Sequence, residues 1–421
     1  MDTTSRQPRL LLVGGANPVG SSIDIARLAL EEARARGIHT HVTHRAEVLP
    51  RIGKVTALAD GVSAVDPDDP RASLRWAEER LAAGERFDIV LGLRDTVVEA
   101  TARIAELMGA PGNPLPAVRQ TRNKDACRAL LASAGFPQPS VRLCRGVADA
   151  EAFLRESGGP WVVKPRDGMG SIGTTRIDGR DDLPSAIAAL PDPGLFLVEE
   201  FVEGQELSVE GLFLGGEPHV LAVTGKSLFP PPHFVELGHV IPADLPADTA
   251  RRITSRVRAA LTAAGLRFGV FNVELWLTRD GVVLGELHSR PGGDWLHVLL
   301  QHAMPGLEMF GPVYDDALGR PVTPPPAATR AGAVRFLSAP AGRLSRVEGW
   351  DSATAHPAVL CAEFTAAPGD AFTGTRDSGD RVGSIAVGAD TPARARHLVE
   401  ELAASVEITA EAAPESAPAR M

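Results

Sequence analysis

Trp161-Val162-Val163-Lys164-Pro165-Arg166-Asp167-Gly168-Met169-Gly170-Ser171-Ile172-Gly173-Thr174-Thr175 is the stretch on which the fold turns. Trp161, Val162 and Val163 read as the end of a buried strand that delivers Lys164 to a loop holding Gly168, Gly170 and Gly173. Thr174, Thr175 and Ile177 resume a strand pattern before the turn Asp178-Gly179, so a β-hairpin with a glycine-rich tip is expected. Glycines let the backbone approach a polyanion closely, successive N–H groups in such a turn form an anion cradle, and the upstream lysine adds positive charge. A triphosphate is the guest this chemistry suits. Gly168-x-Gly170-x-x-Gly173 also spells the dinucleotide fingerprint, but that motif requires a helix directly after the loop, and here a strand follows. A kinase glycine loop is strand-loop-strand, yet its lysine lies on the strand after the loop, whereas Lys164 precedes it. On this stretch alone, a glycine-rich hairpin with no ligand stays open.

The 421 residues, 44% hydrophobic and 23% charged, are material for roughly two to four globular domains and exclude a wholly disordered chain. A net charge of -10 gives no electrostatic footprint for nucleic acid or an anionic membrane. Any anion must be held by a local site. Cys127, Cys144 and Cys361 are far apart and lack metal-ligand spacing, so neither a disulfide framework nor a zinc site is expected, and a reducing cytoplasm fits. The opening MDTTSRQPRLLLVGG lacks a signal-peptide architecture, and no apolar run approaches the roughly 18 residues of a membrane span.

Upstream of the glycine stretch, Leu10-Leu11-Leu12-Val13 is a buried-strand run. Gly14, Gly15 and Gly20 make a tight turn, and Ser21 and Ser22 are placed to cap a helix from about Ile23 to Arg36. Apolar runs near His41-Val42 and over 87–92, with helical patterns over 72–83 and 96–108, predict a small parallel-sheet domain with helices on both faces, ending near Pro116. Its first turn is either a ligand loop or a purely structural βα turn. After Pro111-Gly112-Asn113-Pro114, one helix is expected to carry Arg122, Asn123, Lys124, Asp125 and Arg128 and to stop at Ala134-Gly135-Phe136-Pro137. A lysine on a helix is ordinarily solvated, so Lys124 alone draws no attention.

Downstream, a helical stretch over 183–190 leads to a buried strand, Leu195-Phe196-Leu197-Val198, with Glu199-Glu200-Phe201-Val202 where it emerges. Glu203-Gly204 turns the chain, and Glu206, Ser208 and Glu210 alternate with Leu207 and Val209 in the manner of a half-exposed strand. Gly225-Lys226-Ser227 has the ending of a Walker loop, but that pattern needs glycine where Val220 stands. Residues 230–239, PPPHFVELGH, are too proline-rich for regular structure and too apolar for a mere linker, which suggests a loop over a site; a helix from about Pro246 to Ala264 then stops at Gly265.

Two strands, Phe268–Leu277 and Val282–Arg290, flank the turn Thr278-Arg279-Asp280-Gly281. Pairing them symmetrically about residue 280 brings Glu274 close to Glu286, with Asn272 and Glu274 on one strand face and Glu286, His288 and Arg290 facing them. Two carboxylates that close repel unless a cation lies between them. A divalent ion is the simplest answer, because one or two carboxylates plus substrate phosphates make a magnesium site. Arg290 or Lys226 neutralising the pair without metal is the alternative. Pro321-Val322-Thr323-Pro324-Pro325-Pro326 is a stiff linker. Beyond it, residues 331–338, 359–366 and 382–387 read as strands and 391–405 as a helix, and the end from Glu411 reads as disordered.

Taken in order, Lys124, Lys164 with its glycine hairpin, Glu199-Glu200-Phe201-Val202 followed by Gly204-x-Glu206, and Glu274 with Glu286-x-His288-x-Arg290 resemble the ATP-grasp superfamily. Within it the chain looks most like ligases joining amino acids, with biotin carboxylase and D-alanine:D-alanine ligase more distant. The resemblance covers essentially residues 8 to 408 and implies a multidomain α/β and α+β chain. Its expected parts are an N-terminal Rossmann-like domain (1–116), a first ATP-grasp subdomain with the glycine hairpin (117–198), a second with the metal site (199–326), a C-terminal α+β domain (327–408) and a disordered tail (409–421).

The resemblance further implies ATP as the nucleotide, with magnesium, or manganese in its place. Lys124 and Lys164 would contact the phosphates, covered by the loop of Gly168, Met169, Gly170, Ser171 and Gly173. Glu199, Glu200, Phe201 and Val202 would meet the adenine, and Glu206 the ribose hydroxyls. Glu274 and Glu286 would bind the metal, and Arg290 would face the reacting acyl group. Much of the family has asparagine where this chain has His288; imidazole is a poor magnesium ligand and a better one for softer ions, so His288 is expected either at the metal or at a phosphate or substrate.

The implied reaction is attack of a carboxylate on the γ-phosphorus to give an acyl phosphate and ADP, followed by aminolysis, with Lys164, His288 and Arg290 as catalytic residues. A mobile glycine hairpin would shield the acyl phosphate from water. Glu236 and His239 match a Glu-x-Gly-His stretch of amino-acid-ligase-like members and are assigned to a substrate amine and to phosphate. Gly293 and Asp294 could line the acceptor pocket, while Trp295 is expected in the core. The expected partners are a small carboxylic acid and an amine, both amino-acid-like, with no nucleic acid and no membrane; a homodimer and a cytoplasmic location are further expectations. A carboxylating or purine-synthesis-type member and an ATP-binding regulatory module without turnover are the alternatives.

Overall fold

A computed structural model describes residues 6–411. The chain divides into two units, one of Met1–Gln138, Val202–Thr224 and Leu245–Thr329, the other of Pro139–Phe201, Gly225–Asp244 and Arg330–Met421.

In the first unit, the apolar runs form a four-stranded parallel sheet in the order Gly61–Ala64, His39–His44, Arg9–Val13, Ile89–Gly92. Leu10, Leu11, Leu12 and Val13 are fully buried, and side chains of this kind contribute roughly 1.5–3 kcal/mol each when removed from water. The first strand lies between the second and the fourth, so a topological switch point falls at the turns that follow strands Arg9–Val13 and Ile89–Gly92. Helix Gly20–Ala35 is not capped by serine: its N-cap is Val19, and Ser22 Oγ instead accepts from Asn17 N at 2.9 Å.

The single helix expected around Lys124 is two, Leu115–Arg122 and Lys124–Ser133. Asn123 leaves the helical region at φ -91° and ψ 114°, and its Nδ2 donates to Arg119 O at 2.9 Å, a carbonyl that also accepts Asn123 N at 3.3 Å. Lys124 thereby becomes the first residue of a helix rather than one member of a solvated face. Strand Gln205–Leu214 pairs antiparallel with Val270–Thr278, which pairs with Gly281–His288. Expected half-exposed, the first of these is buried on both faces from Leu207 to Phe213. Its polar members tolerate this because Glu210 accepts from Ser208 Oγ, Asn272 Nδ2 and Thr224 Oγ1. Helix Ala247–Ala264 buries Ile253, Val257, Ala260, Leu261 and Ala264 along one stripe and ends at Gly265, φ 73°.

In the second unit, an antiparallel sheet in the order Val141–Cys144, Phe196–Glu200, Trp161–Pro165, Thr175–Ile177 contains the expected glycine hairpin. Phe153, Leu154, Val163, Ile177, Leu183, Phe196 and Val198 share its core. The segment expected as a loop over 230–239 is strand from Glu236 onward, because the prolines stop at Pro232. Glu236–Ile241 pairs with Ala331–Ser338, then Arg381–Ala389 and Val359–Phe364. Helix Pro392–Ala404 contributes Ala395, Leu398, Val399 and Ala403 to that core. Strand Glu407–Glu411 pairs with Gly342–Glu348, so residues 409–411 of the expected tail are strand; residues 412–421 lie outside the described residues. Among the described residues no helix is long and apolar enough to cross a membrane.

Candidate active site

The glycine hairpin pairs Trp161 with Ile177 and Val163 with Thr175. At its tip, Gly170, Ser171 and Gly173 all take positive φ, at 62°, 60° and 70°. A side chain at Gly173 would meet Pro191 Cδ at 2.9 Å and Ala189 O at 3.2 Å, so the turn there requires glycine. The tip is tied down within its own unit: Ser171 Oγ donates to Phe234 O at 2.6 Å, and Ser378 N donates to Gly170 O at 3.1 Å. Lys164 emerges inward, its side chain 7% exposed, and its Nζ lies 2.6 Å from Glu199 Oε1 on the neighbouring strand. Glu199, expected at the adenine, thus commits its side chain to the lysine. Glu200 Oε2 accepts from Ser140 N at 3.1 Å. Phe201 stacks on Phe234 at 5.9 Å and carries the Arg176 guanidinium at 4.6 Å.

Glu236 and His239 sit in the same unit on the strand Glu236–Ile241. Glu236 is held between Lys226 Nζ, 3.5 Å from Oε1, and Ser378 Oγ, which donates to Oε2 at 3.1 Å. His239 is buried and meets the edge of Phe336 at 5.9 Å, while Arg381 covers that ring at 3.8 Å. Lys226 thus has Glu236 as an ion-pair partner within its own unit.

In the first unit, the acidic hairpin departs from simple symmetry. Thr278 pairs with Gly281 and Leu275 with Leu284, but Asn272 pairs with His288 and Val273 with Leu287. A bulge lies at Glu274, opposite Gly285 and Glu286, so the turn centres between residues 279 and 280 and the bulge restores the expected face. Without it, Glu286 would point to the other side of the sheet from Glu274. Gly285 suits the bulge, since a Cβ there would meet the Trp276 ring at 2.9 Å and Glu274 O at 3.0 Å. Glu206 lies on the adjoining strand opposite Trp276, and Val202 precedes that strand in the same unit.

The cation beside Glu286 is Lys124, whose Nζ is 2.8 Å from Oε2. Arg290 makes its hydrogen bonds elsewhere. Its Nε and Nη2 both lie 2.7 Å from Asp95 Oδ2, and Nη1 donates to Pro291 O at 2.9 Å. His288 Nδ1 lies 3.0 Å from Asp95 Oδ1, with Nε2 3.6 Å from Glu286 Oε2. Burial alone would raise the Asp95 carboxyl, but Arg290 and His288 hold it well below the usual carboxylate range. Burial alone would likewise lower Arg290, and Asp95, with smaller pulls from Glu274 and Glu286, raises it instead. Asp294 and Trp295 adopt positive φ in succession, 57° and 63°, an uncommon conformation for residues other than glycine. Trp295, expected in the core, is only half-buried and stacks on His297 at 6.0 Å, which lies 3.0 Å from Asp24 Oδ2.

For a metal, the donor set of Glu274 and Glu286 fits magnesium, which takes hard carboxylate oxygens and completes its shell with phosphate and water. Among the described residues no group of three or more His, Cys, Asp or Glu side chains is arranged to hold an ion.

Sequence reasoning missed Asp95, Glu210 and Ser378. Asp95 carries a usable signal, an acid in the turn that follows the C-terminal end of the parallel-sheet strand Ile89–Gly92. Glu210 was visible but misread as surface. Nothing in the order Arg376-Asp377-Ser378 announces a partner for Glu236.

Residues 157–298 match the ATP-grasp domain family, and residues 335–411 match the L-amino acid ligase C-terminal domain 2. Carnosine synthase 1 of Gallus gallus is 28% identical over 321 residues, covering 69% of this chain and 33% of that protein. Alanine–anticapsin ligase of Bacillus subtilis is 24% identical over 243 residues, covering 51% of this chain and 50% of that protein. The chain thus spans a third and a half of the length of these two relatives. The crystal structure of L-amino acid ligase from Bacillus licheniformis superposes with a TM-score of 0.80 at 22% identity, covering 97% of this chain and all of that one, and shows the shared fold.

Proposed function

We propose, for a chain that belongs to the ATP-grasp superfamily and carries an L-amino acid ligase C-terminal domain, that it is an ATP-dependent carboxylate–amine ligase acting on amino-acid-like substrates in the cytoplasm. The C-terminal domain favours this reading over a carboxylating or purine-type enzyme. The observation that carries it is the shared face of Glu274 and Glu286, which the bulge at Gly285 creates in a strand that also bears His288 and leads to Arg290.

In this reading Lys164 and the N–H groups of the loop 168–173 bind the ATP phosphates, Glu199 to Val202 border the adenine, and Glu206 takes the ribose hydroxyls. Lys124 lies close to the phosphates and steadies Glu286. Glu274 and Glu286 would hold magnesium, or manganese, which supplies charge neutralisation of the transferring phosphoryl oxygens. Glu236 receives the substrate ammonium, and His239 lies toward phosphate. A carboxylate oxygen forms a bond to the γ-phosphorus as the bond to the β–γ bridging oxygen breaks, giving acyl phosphate and ADP. The amine nitrogen then attacks the acyl carbon, Arg290 N–H groups stabilise the oxyanion, and the acyl C–O bond breaks to release phosphate while the nitrogen gives up its proton. A homodimer is part of the proposal.

The test is ADP release over a matrix of amino-acid pairs with ATP and magnesium. Release that requires both an acid and an amine supports the ligase; release driven by bicarbonate, or ATP binding without release on any pair, overturns it.

A further inference from the structure

We propose that Asp95 is a positioning residue for the acyl-transfer half of the reaction: its buried carboxylate locks the orientation of Arg290 and His288 against the pull of Glu274 and Glu286. The proposal rests on the ligase reading for its consequence, though not for its geometry.

Asp95 comes from the short turn after the sheet strand Ile89–Gly92, an element remote in sequence from the acidic hairpin. One oxygen serves each partner. Oδ2 takes the Nε and Nη2 edge of Arg290, and Oδ1 faces Nδ1 of His288. With Nη1 on Pro291 O as well, Nε and Nη1 are hydrogen-bonded and Nη2 is held at ion-pair distance, and rotation of the fork would break all three contacts. The remaining N–H groups on the Nη nitrogens keep a single orientation, which is what an oxyanion donor requires if it is to need no reorganisation during reaction.

The competition at this place explains why such a clamp is needed. Glu274 and Glu286 also attract Arg290, and Glu286 lies 3.6 Å from His288 Nε2. Left without Asp95, the guanidinium and the imidazole would turn toward those carboxylates. They would then occupy the oxygens proposed for the metal and withdraw the oxyanion donor. A buried ion pair is a weak source of stability compared with apolar packing of the same volume, so the value of this one is orientation.

Asp95→Leu removes both acceptors at similar volume. Asp95→Asn keeps one acceptor oxygen, enough for Arg290 only if its amide turns to His288. Amide formation should fall about 100-fold in Asp95→Leu and about 10-fold in Asp95→Asn, with KM for ATP within about twofold of the parent and less amide formed per ADP released. Asp95→Asn combined with Arg290→Lys should be no slower than Arg290→Lys alone, because the two residues act as one unit. Multiplying losses, an unchanged rate, or a rise in KM for ATP equal to the fall in rate would overturn the proposal. If Asp95→Leu does not fold, Asp95→Asn carries the same comparison. Should the parent chain release no ADP, the ligase reading fails by itself, and the clamp is still read from the 15Nε–1Hε resonance of Arg290, assigned by its loss in Arg290→Lys. A shift and faster exchange with water in Asp95→Asn support the clamp; an unchanged resonance overturns it.

Discussion

The glycine hairpin Trp161–Ile177 and the acidic hairpin Val270–His288 are both antiparallel two-stranded units, yet they offer opposite chemistry by opposite means. The first offers a glycine-bent backbone tip at Gly170, Ser171 and Gly173, with one buried lysine behind it. The second offers carboxylates aimed by a single bulge. A backbone-borne site depends on conformations that glycine permits and tolerates change in most neighbouring side chains. A side-chain-borne site depends on register, and shifting it by one residue sends every functional group to the other face.

If that contrast holds, the largest loss comes from the acidic side. Glu286→Gln keeps the shape but removes the charge beside Lys124, and ADP release should drop about 1,000-fold. Because Glu286 is partly exposed, the melting temperature should stay close to the parent. A rate within tenfold of the parent would remove Glu286 from the metal site. The smaller loss comes from the glycine side. Lys164→Ala should weaken ATP binding about 10- to 100-fold by calorimetry. It also strips a buried carboxylate of its lysine, since Glu199 is 5% exposed, at a cost of roughly 3–5 kcal/mol in stability. Adding Glu199→Gln should recover stability without recovering affinity. Unchanged nucleotide affinity in Lys164→Ala would mean the lysine is structural.

The two hairpins also differ in how well the sequence announces them. Spacing of Lys164, Gly168, Gly170 and Gly173 within a strand pattern was enough to give the first, because its geometry follows from glycine conformations and period-two alternation. For the second, alternation found the right face while the assumed symmetry about residue 280 was wrong near the turn. A bulge changes pairing by one residue and leaves only a small residue, Gly285, as its trace.

The remaining surprises are tertiary. Burial of Ser208 and Glu210 on both sides of their strand cannot be read from alternation, which reports polarity and not what covers it. At the interruption at Asn123 the side chain shares Arg119 O with the helix's own N–H bond. Asp95 meets Arg290 across 195 residues of chain, and pairing over that distance leaves no local pattern.

The most direct measurement follows oxygen. With an 18O-labelled carboxylate substrate, ATP, magnesium and an amine, formation of the amide through an acyl phosphate carries one labelled oxygen into the released phosphate, with ADP as the other product. Phosphate free of label, or AMP in place of ADP, would contradict it.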